Sequence, residues 1–547
     1  MASPAQRWKV VGGASAGGLL VREGKKLSSA ALEERLATGA LVEELELDGE
    51  RLSYKRLEGA GPERGWISIK MKGQDIVVRD GFAPAAPGTL LRALEDADEA
   101  AALTILARPD AVKEANMLGP PPAQHSTLHT AALRGLDQVC NALLGMPKMA
   151  RIRDPGVVDA EGNTALHFAA FCGHAKVCQT LLDHQRFVAA DALSRGGKGD
   201  SALHSAVHGG NAEVCRLLLD HSRFGAADAS NELGMNALHV ACDRGDTQVC
   251  KLLLEHPRFG GVNSITSEEH GCQNILQMAG LANKAEVAKL ILECPRYARL
   301  DHVNGNGCSA LGNAAWGRSP EIVRMVLDDS RFNHVNRANN FGWSALHDAA
   351  IQGGGSLQLI LDHPRFEAHD LQSHEGNTAL HEAAARGNVG ECQQLLDHPK
   401  FTAADAVNNE GRTALHLAAL GGQAQACTTL LDHPKFTAAD KSSLREGVTA
   451  LHLAAWCGSG EACQAILGHE RFGAAAAQSL DGSTALHLAA QNDRPEACRA
   501  LLAHPRFGGA GLATLENRRG KAAFSVAKPL SESWQVLEEL LTGDDEA

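Results

Sequence analysis

Histidine recurs at two fixed positions along this chain of 547 residues, which holds 25 histidines in all. Regularly spaced imidazoles could serve as zinc ligands or as general acid–base groups. One set ends a tetrad related to Thr-Ala-Leu-His and comprises His129, His167, His204, His239, His347, His381, His416, His452 and His487. The second set stands two residues before an Arg-Phe or Lys-Phe pair and comprises His184, His221, His256, His363, His398, His433, His469 and His504. Either chemistry requires several of these side chains to converge.

The repetition itself argues against convergence of the histidines. Equivalent positions on stacked helices lie roughly 8–10 Å apart, whereas zinc holds its ligand atoms at about 2 Å. We therefore predict that the tetrad histidines hydrogen-bond the local backbone and that the second set completes helix ends. No metal ion or cofactor is expected.

Cysteine follows the same regularity, with one cysteine recurring in the second helix of eight of the eleven periods. These residues are Cys140, Cys178, Cys215, Cys250, Cys392, Cys427, Cys463 and Cys498. A free cysteine behaves as a small buried hydrophobic residue, and the sequence contains no Cys-x-x-Cys pair. We interpret this set as packing residues with free thiols, which suits a reducing compartment.

A row of cations is the strongest alternative to a purely structural repeat. Its members are Arg186, Arg223, Arg258, Arg296, Arg331, Arg365, Lys400, Lys435, Arg471 and Arg506, and each is followed by an aromatic residue. A basic stripe with aromatics could follow a phosphate backbone. The formal charge of −13 disfavours a polyanionic partner. A cation and an apolar ring at a helix C-terminus are also structurally favourable, so nucleic-acid binding is the weaker hypothesis.

The elements that must position all these residues form a repeat. The tetrad recurs eleven times at intervals of 34 to 38 residues, with Gln277 and Gly312 replacing histidine in two copies. We number the repeats from one, ending at His129, to eleven, ending at His487. Within residues 407–436, Gly411 predicts a turn and Thr413 a helix cap. Gly421 and Pro434 then separate a short first helix from a longer second one.

Turn, short helix, turn and longer helix resemble the ankyrin repeat, whose Gly-x-Thr-Pro-Leu-His-x-Ala-Ala pattern is matched by Gly162 to Ala170. Here alanine replaces the proline of the tetrad, and each repeat is a few residues longer than usual. The resemblance covers residues 89–541 and implies an all-α repeat solenoid. We divide it into a capping unit at 89–125, eleven repeats at 126–516, a second cap at 517–541 and an acidic tail at 542–547.

Residues 1–80 have a different pattern, rich in glycine and β-branched residues with alternating polarity. Three segments, Leu19 to Gly24, Leu36 to Gly39 and Gly65 to Ser68, are similar to bacterial-type Src-homology-3-like barrels. This resemblance implies a small β-rich, barrel-like domain ahead of the repeats, with residues 81–88 as the linker.

Composition and motifs exclude several function classes. The chain has no run of about 18 apolar residues and no signal-peptide core at its start. We therefore expect a monomer in the cytoplasm, with the nucleus as the alternative location. No membrane partner is expected. It also contains none of the nucleophile, phosphate-loop, zinc-protease or kinase motifs. We predict that it is not an enzyme.

The residues that vary between otherwise constant repeats indicate where a partner binds. In ankyrin arrays the contact positions are the turn tips and the ends of the first helices. Trp316 ends a first helix, and Phe341 and Trp343 flank Gly342 in the next turn. Aromatic anchors carry much of the binding energy of interfaces, so we predict a contact site here. The alternative is that these rings cover seams between degenerate repeats.

Further contact positions follow from the same rule. They are Phe171, Trp456, Ile351, Asp243 and Arg244, all at the ends of first helices. The resulting hypothesis is a non-catalytic scaffold or adaptor that binds proteins along the ankyrin surface. A regulatory or targeting subunit of an enzyme complex is the first alternative, because it would use the same surface.

Overall fold

The computed structural model describes residues 89–542 apart from 109, 117–124, 147–157, 195–198 and 509–510. Ahead of these it describes 7–10, 19–22, 31–36, 41–48, 51–58, 62–68, 70–71, 74–75 and 77–79. The predicted linker at 81–88 and residues 543–547 of the predicted tail lie outside the described residues.

The N-terminal part is β-rich, as predicted. Its strands are β1 (Arg7–Val10), β2 (Leu19–Arg22), β3 (Ala31–Leu36), β4 (Leu41–Asp48), β5 (Arg51–Glu58), β6 (Arg64–Ser68), β7 (Lys70–Met71), β8 (Gln74–Asp75) and β9 (Val77–Arg79). Seven of them form one antiparallel sheet in the order β3-β2-β6-β5-β4-β1-β9, and β7 and β8 form a separate two-stranded sheet. Because β3 and β9 are the outer strands of this order, the described pairings give an open sheet. The predicted closed Src-homology-3-like barrel is therefore not supported.

A helix pair forms in each of the eleven repeats. The first helices are Thr127–Arg134, Ala165–Cys172, Ala202–His208, Ala237–Arg244, Ile275–Leu281, Ala310–Trp316, Ala345–Gln352, Ala379–Arg386, Ala414–Leu420, Ala450–Cys457 and Ala485–Gln491. The second helices are Asp137–Gly145, Ala175–Asp183, Ala212–Asp220, Thr247–Glu255, Ala285–Glu293, Pro320–Asp328, Ser356–Leu361, Val389–Asp397, Ala424–Asp432, Gly460–Gly468 and Pro495–Ala503. Repeat nine shows both predicted stops, since its first helix ends before Gly421 and its second before Pro434.

Additional short helices flank the pairs. Leu90–Glu95, Glu99–Leu106 and Ala111–Ala115 precede repeat one, and Pro505–Gly508, Ala523–Val526 and Glu532–Thr542 follow repeat eleven. Single turns of 3-10 helix lie at Ala226–Asp228, Gly261–Asn263, Glu268–His270, Ala474–Ala476 and Leu512–Thr514. Every helix in the described part of the chain is too short or too polar to span a bilayer.

The chain divides into two compact units. The first comprises Met1–Gly209 with His221–Gly225, and the second comprises Gly210–Asp220 with Ala226–Ala547. Within the second unit each first helix packs on the first helix of the next repeat, and the second helices pack in the same way. Repeats four to eleven therefore bury their apolar faces against one another, as a repeat stack must.

The core of each unit is built from repeated side chains. The aromatic that follows each cation is almost fully buried at Phe187, Phe224, Phe259, Tyr297, Phe332, Phe366, Phe401, Phe436, Phe472 and Phe507. Burying such a ring contributes about 1.5–3 kcal/mol. The low aromatic content of the chain is thus concentrated at one position that closes each second helix.

Candidate functional site

The tetrad histidines fasten one repeat to the next. In repeat ten the backbone N–H of Thr449 donates to Nδ1 of His452 at 3.2 Å, so this nitrogen carries no proton. Nε2 is therefore protonated, and it donates to the Ser483 carbonyl of repeat eleven at 3.0 Å. Burial lowers the pKa of His452 to about 4. The predicted bonding to backbone is confirmed, and it engages both ring nitrogens.

Histidines of the second set stand at the ends of the second helices, as predicted. They are the C-terminal capping residues at His184, His256, His398, His433, His469 and His504. Several also reach the acid that ends the second helix of the preceding repeat. His433 Nε2 lies 3.2 Å from Asp397 Oδ1, and His469 Nε2 lies 3.0 Å from Asp432 Oδ1. These imidazoles therefore connect neighbouring repeats.

The cations of the row donate hydrogen bonds to backbone carbonyls of the preceding repeat. Arg186 Nη1 donates to the Leu144 and Met146 carbonyls, both at 2.7 Å. Arg471 Nη1 donates to the carbonyls of Leu431 and His433, both at 2.8 Å. These carbonyls lie at the C-terminal ends of second helices, where a cation offsets the helix dipole. The structural interpretation explains the row, and its guanidinium groups are not presented as a free basic stripe.

The recurring cysteines are packing residues. All eight are fully buried, and the thiols are free. Burial raises the pKa of Cys215, Cys250, Cys392 and Cys427 to about 12. Thiols with such pKa values stay protonated at neutral pH and lack the reactivity of a thiolate.

Repeats five and six depart from this pattern in different ways. Gln277 reproduces the histidine, because its Oε1 accepts from the Asn274 N–H at 3.0 Å while its Nε2 donates to the Cys308 carbonyl at 2.8 Å. Gly312 can form neither of these two hydrogen bonds, because it has no side chain. A cavity of about 190 Å³ lies beside it. Repeat six thus lacks the side chain that bonds to the next repeat at His167, His347, His381, His416 and His452.

Three predicted contact residues meet at this cavity. Trp316 is 39% exposed and Phe341 55% exposed, and Trp343 is half-buried. The ring centroids of Trp316 and Trp343 are 6.2 Å apart, and those of Phe341 and Trp343 are 6.0 Å apart. Gly342 between them has a φ of +79°, a left-handed conformation that favours glycine. We call Trp316, Phe341 and Trp343 the aromatic cluster.

Other predicted contact residues lie at separate places. Phe171 is exposed and belongs to the first compact unit, and Asp243 and Arg244 are exposed in the second. Trp456 is exposed in repeat ten. Ile351 is a correction, because its side chain is only 7% exposed and packs in the core of its helix pair, where a partner cannot reach it.

A second, larger cavity of about 700 Å³ surrounds Trp456. Its lining includes Leu453 and Leu488, which occupy the position after the tetrad histidine, and the exposed Leu480. At its rim Arg412 Nη2 lies 3.3 Å from a carboxylate oxygen of Glu446. This groove is apolar, and its charged rim is internally paired.

Sequence reasoning missed two polar residues at the smaller cavity. Asn313 and Asp348 directly follow the last tetrad residue in repeats six and seven, and both are buried. Their signal in the sequence is polarity at a position where repeats nine, ten and eleven have leucine. It becomes meaningful only with the neighbouring Gly312.

The comparisons with known proteins agree with this architecture. The family described as "Ankyrin repeats (3 copies)" matches residues 93–192, 128–226, 185–266, 355–441 and 434–510, more than half of the chain. The chain belongs to the ankyrin-repeat family. Such repeats are typically protein-interaction modules. The matched ranges stop at residue 266 and resume at 355, so repeats five and six and the first helix of repeat seven lie between them.

Among solved structures, the chain is similar to the ankyrin-repeat domain of Bcl-3, described as a unique member of the IkappaB protein family. The identity is 22% and the TM-score 0.36, over 44% of this chain and all of that one. The search of curated proteins found no match.

Proposed function

We propose that this ankyrin-repeat protein is a non-catalytic scaffold or adaptor that binds partner proteins, with the aromatic cluster as its principal contact. The supporting observation is that Trp316, Phe341 and Trp343 gather at the end of one first helix and the tip of the next turn while remaining accessible. Exposed aromatics grouped in this way are the usual anchors of protein interfaces.

Secondary contacts would extend this surface. The groove around Trp456 offers a mainly apolar lining, and Asp243 and Arg244 are exposed at the end of an earlier first helix of the same unit. Phe171 is exposed in the first unit and would be a separate contact of that unit. A regulatory or targeting subunit of an enzyme complex would use the same residues, so it is the alternative form of this proposal. Nucleic-acid binding is not favoured, because Arg186, Arg471 and their equivalents bond to backbone carbonyls.

The setting of this function follows from the thiols. All fourteen cysteines are free, and most of them are buried. We propose a reducing compartment, cytosol or nucleus, in which the chain acts as a monomer.

Quantitative affinity purification tests the proposed contact. Tagged wild type, the double variant Trp316→Ala/Trp343→Ala and the control Leu530→Ala, which also removes an exposed apolar side chain, are used to recover partners identified by mass spectrometry. We expect the double variant to lose at least about tenfold of the partner that wild type and control retain, since each anchor contributes about 1–2 kcal/mol. Equal recovery by all three proteins, at equal thermal stability, would overturn the proposed site.

A further inference from the structure

The tetrad histidine is missing from repeat six. In repeats nine and ten the tetrad histidine occupies this position and bonds to the next repeat. At Gly312 the carboxyl group of Asp348 comes close instead, since a Cβ placed there would lie 2.9 Å from Oδ2 of Asp348, and both residues line the cavity. The carboxyl group of Asp348 therefore lies where the missing side chain would begin.

Two polar groups line this cavity without adequate partners. Asn313 is 3% exposed, and its amide nitrogen has no hydrogen-bond partner in the described part of the chain. Asp348 is 4% exposed, and burial raises its pKa to about 8. A buried polar group left unpaired costs about 1–3 kcal/mol. Buried polar groups in folded proteins are generally paired with protein groups, water or a ligand.

The charged residues that line the cavity indicate the charge of such a ligand. Asp348 is the single acidic residue among the lining residues, none of which is a lysine or an arginine. Cys308 is the other titratable group in the lining, and burial raises the pKa of its thiol. A positively charged group would therefore meet one acidic group, whose ionisation it would favour, and no competing cation.

The mouth of the cavity favours the same kind of ligand. Trp316, Phe341 and Trp343 line it together with Leu281. The faces of tryptophan and phenylalanine attract cations, most strongly where water is excluded. Aromatic and aliphatic walls also accept the methylene stem of a long basic side chain.

We propose that this cavity binds one lysine side chain of a partner polypeptide, with its ammonium group on the Asp348 carboxylate and its stem against the aromatic cluster. Lysine fits better than arginine, because a compact ammonium suits a single carboxylate at the base of a small cavity, whereas guanidinium prefers an open bidentate contact. A main-chain carbonyl of the same peptide would accept from the Asn313 amide. This inference rests on the proposed protein-binding function and specifies the chemistry of the partner.

Binding of short fluorescent peptides to the full-length chain tests the lysine. The probes are one glycine- and alanine-rich peptide with a central lysine and the same peptide with norleucine, which keeps the stem and removes the charge. We expect the lysine peptide to bind at least tenfold more tightly at pH 7.5. We expect Asp348→Asn, which preserves shape, to abolish that preference. Equal binding of the two peptides by wild type, or no binding at millimolar concentration, would overturn the proposal, as would an unchanged preference in Asp348→Asn.

A second variant separates loss of the site from loss of the fold. The double change Gly312→His/Asp348→Leu copies the arrangement of His416 and Leu453 and removes the acid from the cavity. We expect it to lose the lysine preference with an unchanged or higher melting temperature. Retained lysine preference in this folded variant would contradict the proposal. If Asp348→Asn keeps the cellular partner while Trp316→Ala/Trp343→Ala loses it, the lysine pocket fails and the protein-binding function survives.

Discussion

Repeats eight to ten and repeats five to seven follow the same helix pattern but treat their buried polar groups differently. In repeats eight to ten, His381, His416 and His452 each bond to the cap of their own helix and to a carbonyl of the next repeat. In repeats five to seven, Gln277 imitates that pattern, and Gly312 abandons it. Asn313 and Asp348 are then buried beside the space that Gly312 leaves.

This contrast separates two uses of one scaffold. In repeats eight to ten the imidazoles bond to the backbone of the next repeat and contribute stability. At Gly312 this bonding lapses, and a buried acid, Asp348, lines a cavity under accessible aromatics. Local arrangements that reduce the stability of the fold are common at binding and catalytic sites.

The largest effect should come from breaking the regular pattern. His416→Ala leaves the Val448 carbonyl and the Thr413 N–H unpaired in the interior. We expect a loss of about 3 kcal/mol in the opening free energy of repeat nine, measured by hydrogen exchange. His416→Gln, which copies Gln277, should recover most of that loss. Equal exchange in wild type and His416→Ala would show that the histidine does not contribute to the stability of the repeat.

A smaller effect should follow from acid, and it should distinguish the two regions. Burial lowers the pKa of His381, His416 and His452 to about 4, against about 6.5 in the unfolded chain. Their contribution is therefore complete above pH 6.5 and is lost as pH falls toward 4. We expect hydrogen exchange to show repeats eight to ten losing about 2 kcal/mol per histidine between pH 7 and pH 5.

Repeats five and six provide the internal control for this measurement. Gln277 and Gly312 cannot titrate, so the stability of these repeats should stay nearly constant over the same pH range. A parallel loss in both regions would show that the histidines are not the cause.

The repeat and the roles of its recurring residues could be predicted from the sequence because both depend on local patterns. The tetrad, the helix stops and the packing role of the cysteines need only spacing and residue type. The reach of Arg186 to carbonyls of the preceding repeat, and the burial of Ile351, depend on how repeats stack. Asp348 escaped notice because a buried acid is recognisable only once the space beside Gly312 is known. The closed barrel was wrong because three short segments do not specify how strands pair.

A pH effect of the opposite sign should come from Asp348. Its pKa is raised by burial to about 8, against about 3.9 in the unfolded chain. The folded state therefore holds this proton more tightly, and stability falls as pH rises from about 4 to 8. Asp348→Asn should raise the opening free energy of repeat seven at pH 8 and leave it unchanged at pH 4. A gain of equal size at both pH values would assign the effect to something other than the carboxyl charge.

The most direct test of the central claim is a hydrogen-exchange footprint of the full-length chain with a partner recovered by affinity purification. The account predicts the strongest protection in peptides covering residues 306–348, which contain the aromatic cluster and the cavity. The His-bonded repeats eight and nine, at 379–432, should show little change. Protection centred on 444–488, around Trp456, with none at 306–348, would contradict it.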